Sequence, residues 1–231
     1  MFGYVKKQIE EVRESLVLAA EKSLRSIDDV KLLAVSKTFP IEAIVAAYES
    51  KQRLFGENRV QELVNKKDSL PKDIEWHLFG HLQSNKVAKA VDASYLIHSV
   101  DSEKLVARID RIACENRKIQ KILLEINISG EKSKFGEDRD GALKFAEFAI
   151  NSPNIELDGL MTMAPFGASE KELHYCFGTL RELKEKIEST FSVKLPELSM
   201  GMSSDYKVAI EEGATIVRIG TGIFGKRERK I

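Results

Sequence analysis

The sequence predicts an α/β protein built as one (β/α)8 barrel, the TIM-barrel architecture, with an extra helix at its N-terminus. Eight short apolar runs typical of buried strands alternate with segments of helical periodicity. Strands separated by helices run parallel, and eight such units in about 200 residues suit a closed barrel better than an open sheet. Because no linker rich in Pro, Gly or Ser interrupts the series, we expect one domain over residues 1–231. Within it, residues 1–26 form the extra helix and residues 31–225 the barrel.

The first predicted element is an amphipathic helix that flanks the barrel. Its apolar residues recur every three or four positions, with charged residues between them, at Val5, Ile9, Val12, Leu16, Ala20 and Leu24. Because charges run through this segment, we expect no secretory signal. We also expect no membrane span, since no stretch of the chain approaches the roughly 20 apolar residues that a span needs.

The barrel elements follow in order. The predicted strands are short apolar runs bounded by polar or turn-forming residues, and they cover residues 31–37, 53–58, 75–80, 95–100, 121–128, 156–163, 197–202 and 216–220. Pro40 suits the first position of a helix through Tyr48. The later predicted helices cover residues 60–66, 84–91, 102–117, 138–150, 169–190 and 204–212.

Composition narrows the possible partners and the compartment. The chain has 36 Lys and Arg residues against 36 Asp and Glu residues, so its formal net charge is zero. Binding to nucleic acid or to an anionic membrane needs a clustered positive excess, and we expect neither. Cys114 and Cys176 are far apart, which excludes a disulfide framework and a CxxC metal site. A reducing, cytoplasmic location fits best.

Unusual polar residues collect where the predicted strands end, which is where the chemistry of a parallel barrel lies. Lys37 ends the apolar first strand. Such a lysine can simply extend its amine to solvent. Alternatively, burial lowers a lysine pKa and makes the amine available to attack a carbonyl and form a Schiff base.

The seventh and eighth strands provide a candidate anion site. Ser203 is expected to open a helix, and Gly220 and Thr221 form a small-residue turn, in the loops where this barrel class usually binds phosphate. Taken singly, Ser203 can be a plain N-cap and the glycine a tight turn. Arg218 lies within an apolar strand and needs a partner, either a helix carboxylate or a ligand ring nitrogen or phosphate. Together with Lys37, these residues favour a phosphorylated carbonyl ligand.

Seven ordered blocks between residues 30 and 225 resemble the signature blocks of the pyridoxal phosphate homeostasis proteins. They are AVSKT (34–38), FGEN (55–58), WHLFGHLQSNK (76–86), NISGE (127–131), GLMTM (159–163), LSMGMS (198–203) and VRIGT (217–221). The resemblance implies a barrel like the alanine racemase N-terminal domain, with pyridoxal 5′-phosphate (PLP) held as a Schiff base.

Residue by residue, the resemblance assigns roles to six positions. Lys37 matches the Schiff-base lysine, Arg218 matches the residue that faces the pyridine nitrogen, and Asn58 matches a residue lining the cofactor. The phosphate cradle is matched by Ser203, Gly220 and Thr221. His81 belongs to a block but receives no role. No residue is assigned as catalytic and none as a metal ligand.

The implied function is storage, buffering or delivery of PLP inside the cell, with transient contact with apo PLP enzymes. A permanently charged Arg218 would disfavour protonation of the pyridine nitrogen, so the cofactor would stabilise carbanions poorly. We therefore expect no catalytic turnover. A monomer is expected because the additional β domain through which alanine racemases pair is not seen after the last block.

Three alternatives remain at this point. A racemase of the alanine racemase type would need a second acid or base, and no tyrosine lies at a strand end; Tyr206 is the nearest. A sugar-phosphate enzyme with Lys37 as an aldolase-like amine would need several strand-end carboxylates, and only Glu57 and Glu125 come close. His77 and His81 lack the HExxH pattern, which makes a zinc site improbable.

Overall fold

The computed structural model describes residues 2–131 and 135–225. Eight parallel strands close in chain order into a barrel, with β1 paired to both β2 and β8. The strands are β1 Lys31–Val35, β2 Leu54–Glu57, β3 Glu75–Leu78, β4 Leu96–Val100, β5 Gln120–Glu125, β6 Ile155–Met161, β7 Glu197–Met202 and β8 Ile216–Ile219. This confirms the predicted (β/α)8 barrel. Residues 1, 132–134 and 226–231 of the expected domain lie outside the described part of the chain.

The helices alternate with the strands along the chain. They are α1 Tyr4–Lys22, α2 Ile41–Glu49, α3 Val60–Lys67, α4 Val87–Ala93, α5 Glu103–Glu115, α6 Ala142–Ile150, α7 Glu170–Phe191, α8 Tyr206–Glu211 and α9 Thr221–Phe224. Short 3₁₀ turns cover Ile27–Asp29 and Ser84–Lys86. None of the described helices is long and apolar enough to cross a membrane.

Several boundaries differ from the predicted ones, and three of the differences have a local reason. Strand β5 ends before residue 128, because the chain beyond Glu125 bonds to the following loop: the Asn127 N–H donates to the Glu137 carbonyl, and the Glu137 N–H donates to the Glu125 carbonyl. Helix α8 begins at Tyr206 rather than at 204, since the Asp205 carboxylate turns back to accept a hydrogen bond from the Met202 N–H at 2.6 Å. Pro40 occupies the N-cap position of α2 instead of its first turn.

The extra helix α1 packs against α2, α8 and α9. Helices α8 and α9 contain only six and four residues, so α1 completes the outer ring beside them. Its apolar face is buried, and polar contacts fix its position: Ser15 Oγ lies 2.8 Å from the Tyr206 hydroxyl, and Arg25 donates to the Ile210 and Ala214 carbonyls.

The barrel interior has an apolar layer below a polar one. Buried side chains from five strands form the apolar cluster, namely Leu33, Leu96, Leu123, Met161 and Ile216. Side chains two residues further along a strand point to the same face. His98 and Arg218, which follow Leu96 and Ile216 at this spacing, therefore also face inward. Their inward direction brings polar groups to the carboxyl-terminal end of the barrel.

Candidate functional site

The carboxyl-terminal end of the barrel, here called the mouth, receives all six residues predicted for the site. They are Lys37 and Asn58 after β1 and β2, Ser203 after β7, Arg218 within β8, and Gly220 and Thr221 directly after β8. Because β1 pairs with both β2 and β8, and β8 with β7, the six positions lie on four consecutive strands of the closed sheet.

Lys37 lies on a short loop whose backbone is held under strain. Its side chain is half-buried, with Nζ 5.6 Å from the centre of the Phe79 ring, a cation–π distance. The next residue, Thr38, has a φ of +68°, which is rare for a β-branched residue. The Glu62 carboxylate of α3 accepts a hydrogen bond from the Thr38 N–H at 2.8 Å and stabilises this conformation.

A buried charge cluster holds the other side of the Lys37 loop. The Glu57 carboxylate accepts hydrogen bonds from the Ser36 hydroxyl and from Lys66 Nζ, each at 2.7 Å, and Lys66 also donates to the Ser36 carbonyl. Burial raises the pKa of Glu57, while the Lys66 charge opposes that rise. Since Ser36 precedes Lys37, this cluster fixes the base of the lysine side chain.

Asn58 places a buried acceptor beside the loop. Its Oδ1 has no hydrogen-bond partner among the described residues. The backbone of Gly80 approaches so closely that a Cβ there would lie 2.0 Å from the Asn58 carbonyl oxygen, and the Ser99 hydroxyl donates to the Gly80 carbonyl at 2.6 Å. Buried amide oxygens are normally satisfied, so this one points to a missing donor.

Arg218 is buried without a directly bonded carboxylate in the part of the chain that the structure describes. Only 3% of it is exposed, and it donates to Ser199 Oγ at 2.6 Å and to the Thr162 carbonyl at 3.0 Å. Burial lowers its pKa to about 10, opposed by the charges of Asp205 and Glu125. The guanidinium therefore remains charged at neutral pH.

The β7 and β8 loops can present donors to an anion. Gly201 has a φ of +87°, and a Cβ there would lie 2.6 Å from the Ala209 Cβ, so only glycine allows this close approach of β7 to α8. Ser203 lies in the following turn rather than at a helix N-cap. Thr221 begins α9, a helix of four residues in which the Ile223 and Phe224 N–H groups donate to the Gly220 carbonyl.

An acidic group lies near Arg218 at the mouth. Glu125 ends β5, and its pKa is raised to about 7 by burial and by the charge of Asp101, opposed by Arg218. Asp101 Oδ2 lies 3.1 Å from His81 Nδ1, and the His81 ring stacks on Phe135 at 3.8 Å. Sequence reasoning identified Glu125 and His81 but missed Asp101, although it directly follows β4.

Sequence reasoning also missed a set of buried polar side chains in the interior. His77 Nδ1 lies 2.8 Å from His98 Nε2, and His98 Nδ1 lies 2.9 Å from Ser199 Oγ. The strand alternation of residues 96–100 was the available signal, since it puts His98 on the same face as Leu96. His77 and His81 are separated, the first in the interior and the second at the mouth. The described residues contain no group of three His, Cys, Asp or Glu side chains that could hold a metal ion.

Three tyrosines have their hydroxyl groups bonded to other residues of the chain. Tyr4 donates to the Phe224 carbonyl, Tyr48 donates to Asp73, and the Tyr206 hydroxyl bonds with Ser15. Tyr95 directly precedes β4, at the opposite end of the barrel, and Tyr175 is exposed on α7. Tyr206, the nearest candidate for a second acid, is therefore held against α1.

Comparisons with known proteins agree with this geometry. Residues 13–228 match the family model described as the alanine racemase N-terminal domain. A pyridoxal phosphate homeostasis protein of Aquifex aeolicus is 41% identical over 223 residues, which cover 96% of this chain and 98% of that protein. The protein of the same name from Homo sapiens is 40% identical over 214 residues, covering 86% and 77% of the two chains.

Solved structures show the same architecture. The structure of PipY from Synechococcus elongatus with PLP bound has a TM-score of 0.85 and 37% identity, covering 96% of this chain and 100% of that one. An alanine racemase of Clostridium difficile has a TM-score of 0.73 at 15% identity, covering 94% of this chain and 57% of the racemase. That second likeness concerns the fold alone.

Proposed function

The chain belongs to the pyridoxal phosphate homeostasis family, and we propose on that basis that it binds PLP and stores, buffers or delivers it. The observation that carries this proposal is the position of Lys37 just after β1 and of a buried, charged Arg218 in the adjacent strand β8, both at one barrel mouth. An amine and a fixed cation at one mouth suit a ligand that has an aldehyde together with hydrogen-bond acceptors, namely a ring nitrogen and a phosphate.

The residues at the mouth fit PLP by their chemistry. Lys37 provides the amine that would bond the aldehyde, and Arg218 provides donors for the ring nitrogen. Ser203 with the N–H groups of Gly220 and Thr221 would hold the phosphate, as the loops after the last two strands do in this barrel class. Asn58 Oδ1, buried and unpartnered among the described residues, would line the cofactor.

When bound, PLP supplies an aldehyde that bonds reversibly to an amine and a ring that can withdraw electrons. The residues at the mouth favour binding of PLP over catalysis with it. Ser36, Glu57 and Lys66 fix the Lys37 loop. Arg218 keeps its own charge and disfavours a proton on the ring nitrogen, which weakens electron withdrawal.

We propose further that the protein has no catalytic turnover and that residues 1–231 act as a single PLP-binding domain. The hydroxyl groups of Tyr4, Tyr48 and Tyr206 are bonded to Phe224, Asp73 and Ser15, which supports the first point, because a racemase needs a second acid or base near the cofactor. The balanced charge argues against nucleic acid or an anionic membrane as a partner, and we propose a monomer in the cytoplasm that meets apo PLP enzymes only transiently.

A binding experiment tests the proposal. The purified chain is mixed with PLP, passed through a desalting column and examined by visible absorption. We expect a yellow protein that retains one PLP per chain, and a Lys37→Ala variant that loses the visible band. A wild-type protein that emerges colourless after desalting would refute PLP binding.

The absence of turnover is tested separately. The PLP-loaded protein is incubated with L-alanine and other L-amino acids, and D-isomers are measured by chiral chromatography. We expect no formation of D-isomers above the rate of free PLP, because Arg218 disfavours a proton on the ring nitrogen and so weakens electron withdrawal by the ring. Turnover comparable to that of a dedicated racemase would favour the racemase alternative.

A further inference from the structure

A line of hydrogen bonds crosses the barrel interior and ends on Arg218. It links His77 on β3 to His98 on β4, His98 to Ser199 on β7, and Ser199 to Arg218 on β8. At most 3% of any of these residues is exposed. Since β4 and β7 are not neighbours in the sheet, the bond between His98 and Ser199 must pass through the interior. We call His77, His98 and Ser199 the relay.

The number of available hydrogens fixes the direction of the relay. A serine hydroxyl donates one hydrogen, and a neutral imidazole has one N–H and one acceptor nitrogen. Arg218 can only donate, so Ser199 Oγ accepts from it and gives its own hydrogen to His98 Nδ1. His98 then carries its proton on Nε2 and donates it to His77 Nδ1.

The reverse direction satisfies fewer groups. It would leave both the Ser199 hydroxyl hydrogen and His77 Nε2 without partners in the described part of the chain. The forward direction leaves only the N–H at His77 Nε2 without one. A buried polar group without a partner is costly, so the arrangement with one such group is favoured over the arrangement with two.

Both imidazoles are neutral in this setting. Burial, with the charge of Lys31 as a smaller cause, lowers the pKa of His77 to about 3. Burial lowers the pKa of His98 well below its usual value, with smaller effects of His77 and Arg218. A neutral acceptor orients the guanidinium and leaves its charge uncompensated. A directly bonded carboxylate would orient the guanidinium and also neutralise its charge.

We propose that His98 and Ser199, supported by His77, are positioning residues that hold the Arg218 guanidinium correctly aimed for its ligand. The Thr162 carbonyl fixes one amino group of the guanidinium and Ser199 fixes the other. These contacts use two of the five N–H donors of an arginine. The role of the relay in ligand binding rests on the proposed function, because it requires Arg218 to contact PLP. The direction of the relay does not depend on the proposed function.

The direction is measured on the protein without any ligand. The chain has only four histidines, so nitrogen NMR of labelled histidine, assigned with single substitutions, resolves each ring. We expect neutral rings with the proton on Nε2 at both His77 and His98. A proton on Nδ1 of either ring, or a charged ring at neutral pH, would overturn the relay.

A matched pair of substitutions tests the effect on binding. An asparagine amide reaches the position of Nδ1 and a glutamine amide that of Nε2, so His98→Asn keeps the bond to Ser199 and His98→Gln loses it. Because a hydrogen bond supporting a charged group is lost, we expect His98→Gln to weaken PLP binding about tenfold. His98→Asn should stay within about threefold of wild type.

Controls separate positioning from folding. His174→Gln changes a partly exposed histidine on α7 and should leave PLP affinity unchanged. Thermal unfolding of each apoprotein checks that it is folded, and Ser199→Ala, which removes the same contact from the other side, replaces His98→Gln if that variant does not fold. Equal affinities for His98→Asn and His98→Gln, or an unchanged affinity for Ser199→Ala, would overturn the positioning role. Failure of wild type to bind PLP would refute the proposed function while leaving the NMR result valid.

Discussion

At the scale of residues, the mouth combines a fixed cation with an acid that resists ionisation. Glu125 is only 4% exposed, and its pKa is raised to about 7 by burial and by the nearby Asp101 charge. Arg218 opposes this rise but does not bond to the carboxylate through any contact among the described residues. The ionised form of Glu125 is therefore disfavoured in the folded protein relative to the unfolded chain.

This imbalance predicts a pH dependence of stability. Because the folded pKa of Glu125 lies above its ordinary value of 4.5, the folded state binds more protons than the unfolded state between these values, and stability falls as pH rises through them. The loss reaches about 3 kcal/mol once the carboxyl is ionised in both states. Glu125→Gln should remove this pH-dependent loss. In urea unfolding, the free energy of unfolding of the variant relative to that of wild type should therefore rise between about pH 4 and about pH 8.

The exposed Glu147 on α6 provides the control. Glu147→Gln should parallel wild type across the same pH range, since an exposed carboxyl is solvated in both states. A Glu125→Gln variant whose stability follows the wild-type pH curve would contradict the electrostatic description of the mouth.

Sequence reasoning predicted which residues reach the mouth but not what they contact. Lys37 and Asn58 follow short apolar strands, so their location follows from the fold class. The partners of Arg218 could not be predicted in the same way, because Ser199 and the Thr162 carbonyl lie 19 and 56 positions away in the chain. The bond from His98 to Ser199 joins residues 101 positions apart. Local pattern contains no information on which two inward side chains meet across a barrel.

At the scale of elements, α1 occupies a place that the short helices α8 and α9 leave open. Leu16 is 2% exposed, while Leu18 on the same helix is 67% exposed. The two leucines have the same helix propensity and differ in burial alone. The contribution of α1 to the fold can therefore be measured without changing the barrel.

Leu16→Ala should lower the free energy of unfolding by about 2–5 kcal/mol, because it removes buried methyl groups and leaves a cavity between α1 and its neighbours. Leu18→Ala should change the same quantity by no more than about 0.5 kcal/mol. Denaturant unfolding of the two variants measures both. If the two variants lost similar amounts of unfolding free energy, α1 would not be packed by the face that contains Leu16.

Element types were more predictable than element ends. The periodicity of α1 and the apolar runs of the strands follow directly from the packing of helices on a sheet. The start of α8 depends on the Asp205 side chain bonding backwards to Met202, and the end of β5 depends on a bridge to residue 137. Each boundary is decided by one contact that periodicity does not record.

At the scale of the whole molecule, the barrel gathers a lysine, an arginine and a set of small-residue loops at one end. The charge of the chain as a whole is balanced. Among the described residues Arg218 is buried without a bonded carboxylate, which makes it a concentrated positive site at the mouth. Helix α1, the charge cluster of Ser36, Glu57 and Lys66, and the relay all act to hold that site in one geometry. A rigid site with a weak electron sink suits a protein that keeps its cofactor intact.

The most direct test of this account is borohydride reduction of the PLP-loaded protein followed by peptide mapping. Reduction makes the bond between the cofactor and its lysine permanent, so it identifies the ligand and the residue together. We predict one label per chain, on the peptide that contains Lys37, and none in a Lys37→Ala variant. A label on Lys66 or on any other lysine, or a protein that takes up no label, would contradict the account.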